Sequence, residues 1–302
     1  MLRNHSGPVR FLGLPQTDPQ DADVIVLPLP FEASTSYGHG TSAGPSAVLS
    51  ASQQVEFRDD ECHFDLDSLR IHTADPIVPG PDESPANYLR RVQQSAAALR
   101  STLTIGIGGE HSLTPPLVRA AFGTNDLTGL TVVQFDAHTD LRHEYDGTIH
   151  SHACAMRRLT DAGASLIAVG IRASCREEIE YAAQTDQVDI YRAQSLANGP
   201  AVMADLSNRL QQLAGPVYLT IDIDVLDPSL CPATGTPEPG GLGWWPILSL
   251  LKSLLHAAPL AKLIGCDVVE TTPMIGTQVN EFTTARIIGK SLSYWFSSAP
   301  DR

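Results

Sequence analysis

No CxxC pair occurs among the five cysteines, Cys62, Cys154, Cys175, Cys231 and Cys266. Their odd number and scattered spacing argue against a disulfide framework and fit free thiols in a reducing compartment. No run approaches the ~18 apolar residues of a membrane-spanning helix. The opening MLRNHSGPVRFLGLP also lacks the continuous apolar stretch of a signal peptide. A soluble, cytoplasmic protein without membrane contact is expected. Lys and Arg nowhere cluster, and 20 basic residues face 34 acidic ones for a formal charge of -14, which excludes a nucleic-acid partner. That acidity fits a small cationic substrate, although solubility alone explains it equally well. Internal repeats and low-complexity tracts are missing too. The Pro/Gly-rich stretches 76–81 and 232–243 mark no change in composition and read as loops. Residues 1–302 are therefore expected to form a single domain.

What is present is a series of short β-rich runs separated by segments long enough for a helix. The runs are Val24–Leu29, Leu103–Ile107, Leu130–Phe135, Leu166–Ile171, Val217–Ile221 and Leu263–Val269. Most are apolar throughout instead of alternating, as strands buried on both faces of a parallel sheet require. Between two of them, Pro85–Arg100 reads as a helix with Ser84 as N-cap and Pro85 at its first position. Leu89, Val92, Ala96 and Leu99 give it one apolar face. A second helix is expected over Pro246–His256, with Leu248, Leu251, Leu254 and Leu255 inward. Such alternation predicts a three-layer α/β/α fold around a mostly parallel sheet.

Parallel sheets carry ligands at the carboxyl ends of their strands, and polar residues stand at those places here. After Leu130–Phe135 come Asp136, His138 and Asp140, whose spacing in extended chain points all three to one side. After Val217–Ile221 come Asp222 and Asp224, the same device with one ligand fewer. After Leu103–Ile107, Gly108-Gly109-Glu110 turns the chain and delivers His111 to the rim. A single Asp-Xaa-Asp is ordinarily a helix cap or loop. Three polar groups closing three separate strands are hard to attribute to capping. Four crowded carboxylates would repel one another unless cations neutralised them. Six ligands exceed one tetrahedral zinc site and suit two ions of higher coordination, with the oxygen-rich mixture favouring manganese.

These residues resemble the ureohydrolases, the arginase and agmatinase superfamily. The matching motifs are Gly108-Gly109-Glu110-His111-Ser112, Asp136-Ala137-His138-Thr139-Asp140, Ser151-His152, Asp222-Ile223-Asp224-Val225-Leu226-Asp227-Pro228 and Asp267-Val268-Val269-Glu270. They run in the family's order, and Ser36-Tyr37-Gly38 with Gly44-Pro45 looks like its opening loop. The resemblance implies an arginase-like fold and two Mn²⁺ ions per subunit. One ion would be held by His111, Asp136, Asp140 and Asp222, the other by Asp136, His138, Asp222 and Asp224, with Asp136 and Asp222 bridging. It further implies attack of a metal-bridging hydroxide on a guanidinium carbon. Asp140 would then pass the proton to the departing amine, Glu270 would hold the guanidinium, and His152 would shuttle protons and face the substrate. Ala153 stands where the motif usually has glycine, and His150 competes with His152 for the shuttle role. His39 is kept as a further pocket candidate. The remaining histidines (His5, His63, His72, His143, His256) are expected to be structural or surface groups. Asp227, followed by Pro228, reads as a turn former. A homo-oligomer, trimer or hexamer, follows by family analogy.

The substrate is written less firmly. The loop Leu141-Arg142-His143-Glu144-Tyr145-Asp146-Gly147 lacks the Asn with which arginases grip a carboxylate, and its acids, Glu144 foremost, would attract an ammonium. That favours agmatine, cleaved to putrescine and urea, in polyamine synthesis. Aminopropylagmatine, guanidinobutyrate and arginine are the alternatives, and Arg142 could bind a carboxylate or neutralise Glu144. A catalytically silent relative would be expected to lose ligands, and a dinuclear phosphatase does not account for Glu270.

Overall fold

The computed structural model describes residues 9–99 and 103–298. Its strands in chain order are β1 (Val24–Leu29), β2 (Arg58–Asp59), β3 (Phe64–Asp65), β4 (Ile71–Thr73) and β5 (Leu103–Gly108). They continue with β6 (Thr131–Phe135), β7 (Ser165–Ile171), β8 (Val188–Arg192), β9 (Ala214–Asp222) and β10 (Leu260–Val269). Eight of them form one sheet in the order β4-β1-β5-β10-β9-β6-β7-β8. Every pairing in that sheet is parallel. The other two make a small antiparallel hairpin. All six predicted strands are present, most of them a residue or more longer. The edge strands β4 and β8 were not anticipated, because one is very short and the other mixes Asp189 and Arg192 into its apolar run.

The apolar strands bury both faces, and successive residues feed two separate cores. On β9, Val217, Leu219 and Ile221 join one core and Tyr218 the other. The first core is closed by Val48, Leu206, Leu251 and Ile288 from the helices Gly44–Ser52, Pro200–Gln211, Trp244–Leu255 and Val279–Ser297. The second is closed by Tyr88, Val92, Leu117 and Met156 from the helices Pro85–Ala97, Thr114–Phe122 and Ala155–Thr160. These layers are the predicted α/β/α fold. Ser84 caps its helix by accepting from the amide of Asn87, with Pro85 in the first turn, where a missing N–H costs nothing. That helix ends at Ala97, while Arg100, like His5, lies outside the described residues. The predicted helix at Pro246 begins two residues earlier, at Trp244, because proline is tolerated anywhere in a first turn. Among the described residues no helix is long and apolar enough to cross a membrane.

Lys290 of the last helix pairs with Asp59 at 3.0 Å and Glu61 at 2.8 Å, pinning the β2–β3 hairpin to it. The order of the central strands matters most for function. β5, β10, β9 and β6 are direct neighbours although remote in sequence, so whatever follows each of them gathers at one edge of the sheet.

Candidate metal centre

His111 follows β5, Glu270 follows β10, Asp222 and Asp224 close β9, and Asp136 to Asp140 follow β6. Gly109 permits the first of these turns. A Cβ there would lie 1.9 Å from the carbonyl oxygen of Phe31, so only glycine lets the two loops close on each other. The backbone then interlocks: Gly109 N–H donates to Leu29, and Glu270 N–H donates to Gly109.

Two expectations about local geometry need correction. Asp140 does not continue an extended chain but adopts φ 51°, a left-handed conformation, and Glu270 does the same at φ 63°. The Asp222-Ile223-Asp224 segment is not extended either. The strand stops at Asp222, whose carboxylate caps a 3-10 turn by accepting from Asp224 N–H at 2.9 Å. Capping and convergence thus coexist at this residue.

The side chains nevertheless converge. Nδ1 of His111 lies 3.1 Å from Asp136, 2.9 Å from Asp140 and 3.5 Å from Asp222. Nδ1 of His138 lies 2.9 Å from Asp224 and 3.6 Å from Asp136. His111, Asp136 and Asp222 form one group that could hold a metal ion, and Asp136, His138 and Asp224 a second that shares Asp136. The chemistry of the donors fits such ions. Nε2 of His111 is engaged by Thr220 at 2.9 Å, yet its buried Nδ1 has no hydrogen-bond partner while facing three carboxylates. A ring nitrogen enclosed by three carboxylates calls for a proton or a metal ion between them.

The electrostatics say the same. Burial raises Asp140, with the charge of Asp136 adding to it, to about 7. Burial and then Asp224 and Asp136 raise Asp222 well above the carboxylate range. Burial would raise Asp136, but the imidazoles of His111 and His138 beside it hold it below the usual carboxylate range. Burial would lower His138, but Asp224 and Asp136 push it up to about 12. The cluster seeks positive charge, which protons or divalent ions can supply.

Of the other predicted site residues, Glu270 and His152 line the same pocket as Asp140, Asp222 and Asp224. Glu270 accepts from His111 N–H at 2.8 Å, and its acidity is weakened by burial and then by the charge of Glu110. Ring nitrogens of His152 meet Ser34 at 3.2 Å and Ser36 at 3.0 Å. Glu144 is exposed and lines neither cavity at the centre, whereas its neighbours Arg142 and Tyr145 line the outer one. His150 is half-buried and His39 is exposed beside Glu32 at 3.2 Å, and both stand outside these cavities. Asp227 accepts from Ser229 and Gly240 amides, the turn role expected of it.

Three supporting groups were not foreseen. Glu110, fully buried, accepts from the amides of Ala33 and Ser34 and the hydroxyls of Ser34 and Ser112. It thereby fixes the serine that touches His152. Asp267 accepts from Thr220, Thr114 and Tyr218 and so orients the hydroxyl behind His111. Thr236 stands 3.3 Å from Nε2 of His138. Thr220 and Asp267 are polar positions within otherwise apolar strands, a signal the sequence did contain.

Residues 22–293 match the model of the arginase family. The chain belongs to that family. It is accordingly an enzyme, a hydrolase of the ureohydrolase type. An N(1)-aminopropylagmatine ureohydrolase of Synechocystis sp. is 37% identical, over 97% of this chain and 96% of the relative. An agmatinase of Pyrococcus horikoshii is 36% identical, over 86% of this chain and 87% of its own. Among solved structures, the proclavaminate amidino hydrolase of Streptomyces clavuligerus superposes with a TM-score of 0.85 at 26% identity. It covers 97% of this chain and 99% of that one.

Proposed function

We propose that this arginase-family member is a dinuclear amidinohydrolase that cleaves agmatine to putrescine and urea. The observation carrying this reading is the cluster of two imidazoles and four aspartates, buried except for the partly exposed His138, with Nδ1 of His111 bare of hydrogen bonds among the carboxylates. In it His111, Asp136, Asp140 and Asp222 would hold one Mn²⁺ and Asp136, His138, Asp222 and Asp224 the other. The sheet runs from β1 near one end of the described chain to β10 near the other, which supports one domain over residues 1–302.

When bound, the ions would supply the charge that brings the pKa of a water towards neutrality. The chain's residues do the rest. Glu270 would pair with two guanidinium N–H groups and aim the carbon towards Asp140. Asp140 takes a proton from the water as its oxygen bonds to that carbon, then returns it to the nitrogen of the departing amine. The products are urea and a primary amine. His152, held by Ser34 and Ser36, would move protons between this pocket and solvent.

A second reading is that the tail carries an added aminopropyl group, favoured by the 37% identity with the N(1)-aminopropylagmatine ureohydrolase. Urea release should be measured from agmatine, aminopropylagmatine, guanidinobutyrate and arginine in parallel, with added Mn²⁺ and after chelation. Agmatine is expected to be the best substrate and chelation to stop the reaction. No urea from any of the four would sink the reading, and preference for arginine would sink the choice of agmatine.

A further inference from the structure

We propose that Glu238 selects the tail of the substrate by binding its distal ammonium, an assignment that rests on the guanidine-hydrolase reading above. The pocket of Asp140, Asp222 and Glu270 does not end at the metal centre. Through Ser36, His138, His152 and Thr236, which line both spaces, it continues into an outer cavity of about 320 Å³ that opens to solvent. A guanidinium held at Glu270 can extend its tail this way.

Beyond the residues shared with the inner pocket, three charged side chains line that outer cavity: Arg142, Glu178 and Glu238. They differ in what they are already doing. Glu178 is buried, with one oxygen accepting from Leu141 N–H at 3.0 Å and the other from Cys175 N–H at 2.7 Å. Arg142 lays its guanidinium over the Tyr145 ring, 4.8 Å from the centroid. Glu238 is half-buried, and its carboxylate enters no hydrogen bond or ion pair among the described residues.

Its backbone, by contrast, is firmly held. Glu238 N–H donates to Thr236 at 2.9 Å, and its carbonyl accepts from Arg172 at 2.7 Å and 3.2 Å. The same guanidinium donates to the carbonyl of Asp224 at 2.6 Å, tying the loop of Glu238 to one of the candidate ligands. A carboxylate that is half-buried, unpaired and carried on a firmly held backbone is placed to accept a counter-ion. With two carboxylates against one arginine that is stacked on a ring, the cavity favours an alkylammonium tail and disfavours a carboxylate one. Glu238 sits in a loop that the sequence marks only by its prolines and glycines, so its acid gave no sign of a role.

The test is the steady-state kinetics of Glu238→Gln, with Glu238→Asp beside it, on agmatine, N1-aminopropylagmatine and guanidinobutyrate. Glu238→Gln is expected to lower kcat/KM for the two amine-tailed substrates about 10- to 100-fold. The loss should appear in KM, because the tail contact is the same in ground and transition states. Guanidinobutyrate should be unchanged or improved, and Glu238→Asp should restore part of the preference for amines. A loss shared equally by all three substrates, or no loss at all, overturns the assignment. An active wild type whose preference ignores Glu238 overturns this assignment alone. A wild type that releases urea from no guanidine overturns the hydrolase reading, and this assignment with it.

Discussion

Thr220 decides which nitrogen of His111 faces the carboxylates: its hydroxyl lies 2.9 Å from Nε2, leaving Nδ1 turned towards Asp136, Asp140 and Asp222. The hydroxyl donates in turn to Asp267 at 2.6 Å, so its lone pairs are free to accept from the imidazole. Groups behind a metal ligand set its tautomer and basicity. Thr220→Val keeps the shape and removes the acceptor. Its affinity for Mn²⁺ should fall about 10- to 100-fold, measured by calorimetric titration of metal into the apoprotein. An affinity equal to that of the wild type would show that Thr220 only fills space.

Ser34 joins the buried Glu110 to His152, the proposed proton carrier. Its hydroxyl donates to Glu110 at 2.8 Å and accepts from His152 N–H at 3.0 Å. Ser34→Ala should lower kcat by about tenfold, and His152→Ala by about 100-fold or more, as the loss of a positioned proton carrier does. Neither should change the metal content found by elemental analysis. Metal loss in step with kcat would instead make both residues props of the cluster.

Acid should release the β2–β3 hairpin from the last helix. Glu61 is partly buried, which raises it, but hydrogen bonds from Lys290, Tyr294 and Lys252 hold it down to about 2, and Asp59 is lowered likewise. Carboxylates depressed in the folded state stabilise it above their unfolded values, and that contribution is lost as pH falls towards the folded ones. Thermal unfolding between about pH 7 and about pH 3 should therefore show Tm falling through this window. Lys290→Met should cost about 3 kcal/mol near neutrality, because Asp59 stays buried without its cation. It should also flatten the acid slope. A variant as stable and as acid-sensitive as the wild type would remove this network from the account.

Much of the site was legible because strands buried on both faces leave polar residues conspicuous at their ends. His111, Asp136, His138, Asp140, Asp222 and Asp224 stood out for that reason, and the apolar runs located the strands that carry them. The strand order was not legible, since nothing in a run of Val and Ile tells which neighbour it pairs with across a crossover. Hence the adjacency of β5, β10, β9 and β6 could only be seen in the fold. Glu110 was passed over because an acid in a turn normally meets water, whereas here it is enclosed by amides and hydroxyls arriving from residues 33 and 34. Glu144 drew attention by charge alone, and the loop turns it outward into solvent. Charge can be read from one residue, but the direction it faces depends on the whole chain.

Asp136 belongs to both candidate metal groups, so one substitution tests the centre as a whole. Urea release from agmatine and bound Mn²⁺ should be measured side by side for the wild type and Asp136→Asn, with Tm as a check on the fold. The account predicts two ions and steady urea release for the wild type. For the variant it predicts lost metal and turnover reduced at least about 1,000-fold, the scale of removing an electrostatic stabiliser of the transition state, with Tm nearly unchanged. Near-normal turnover by a folded Asp136→Asn enzyme would contradict it.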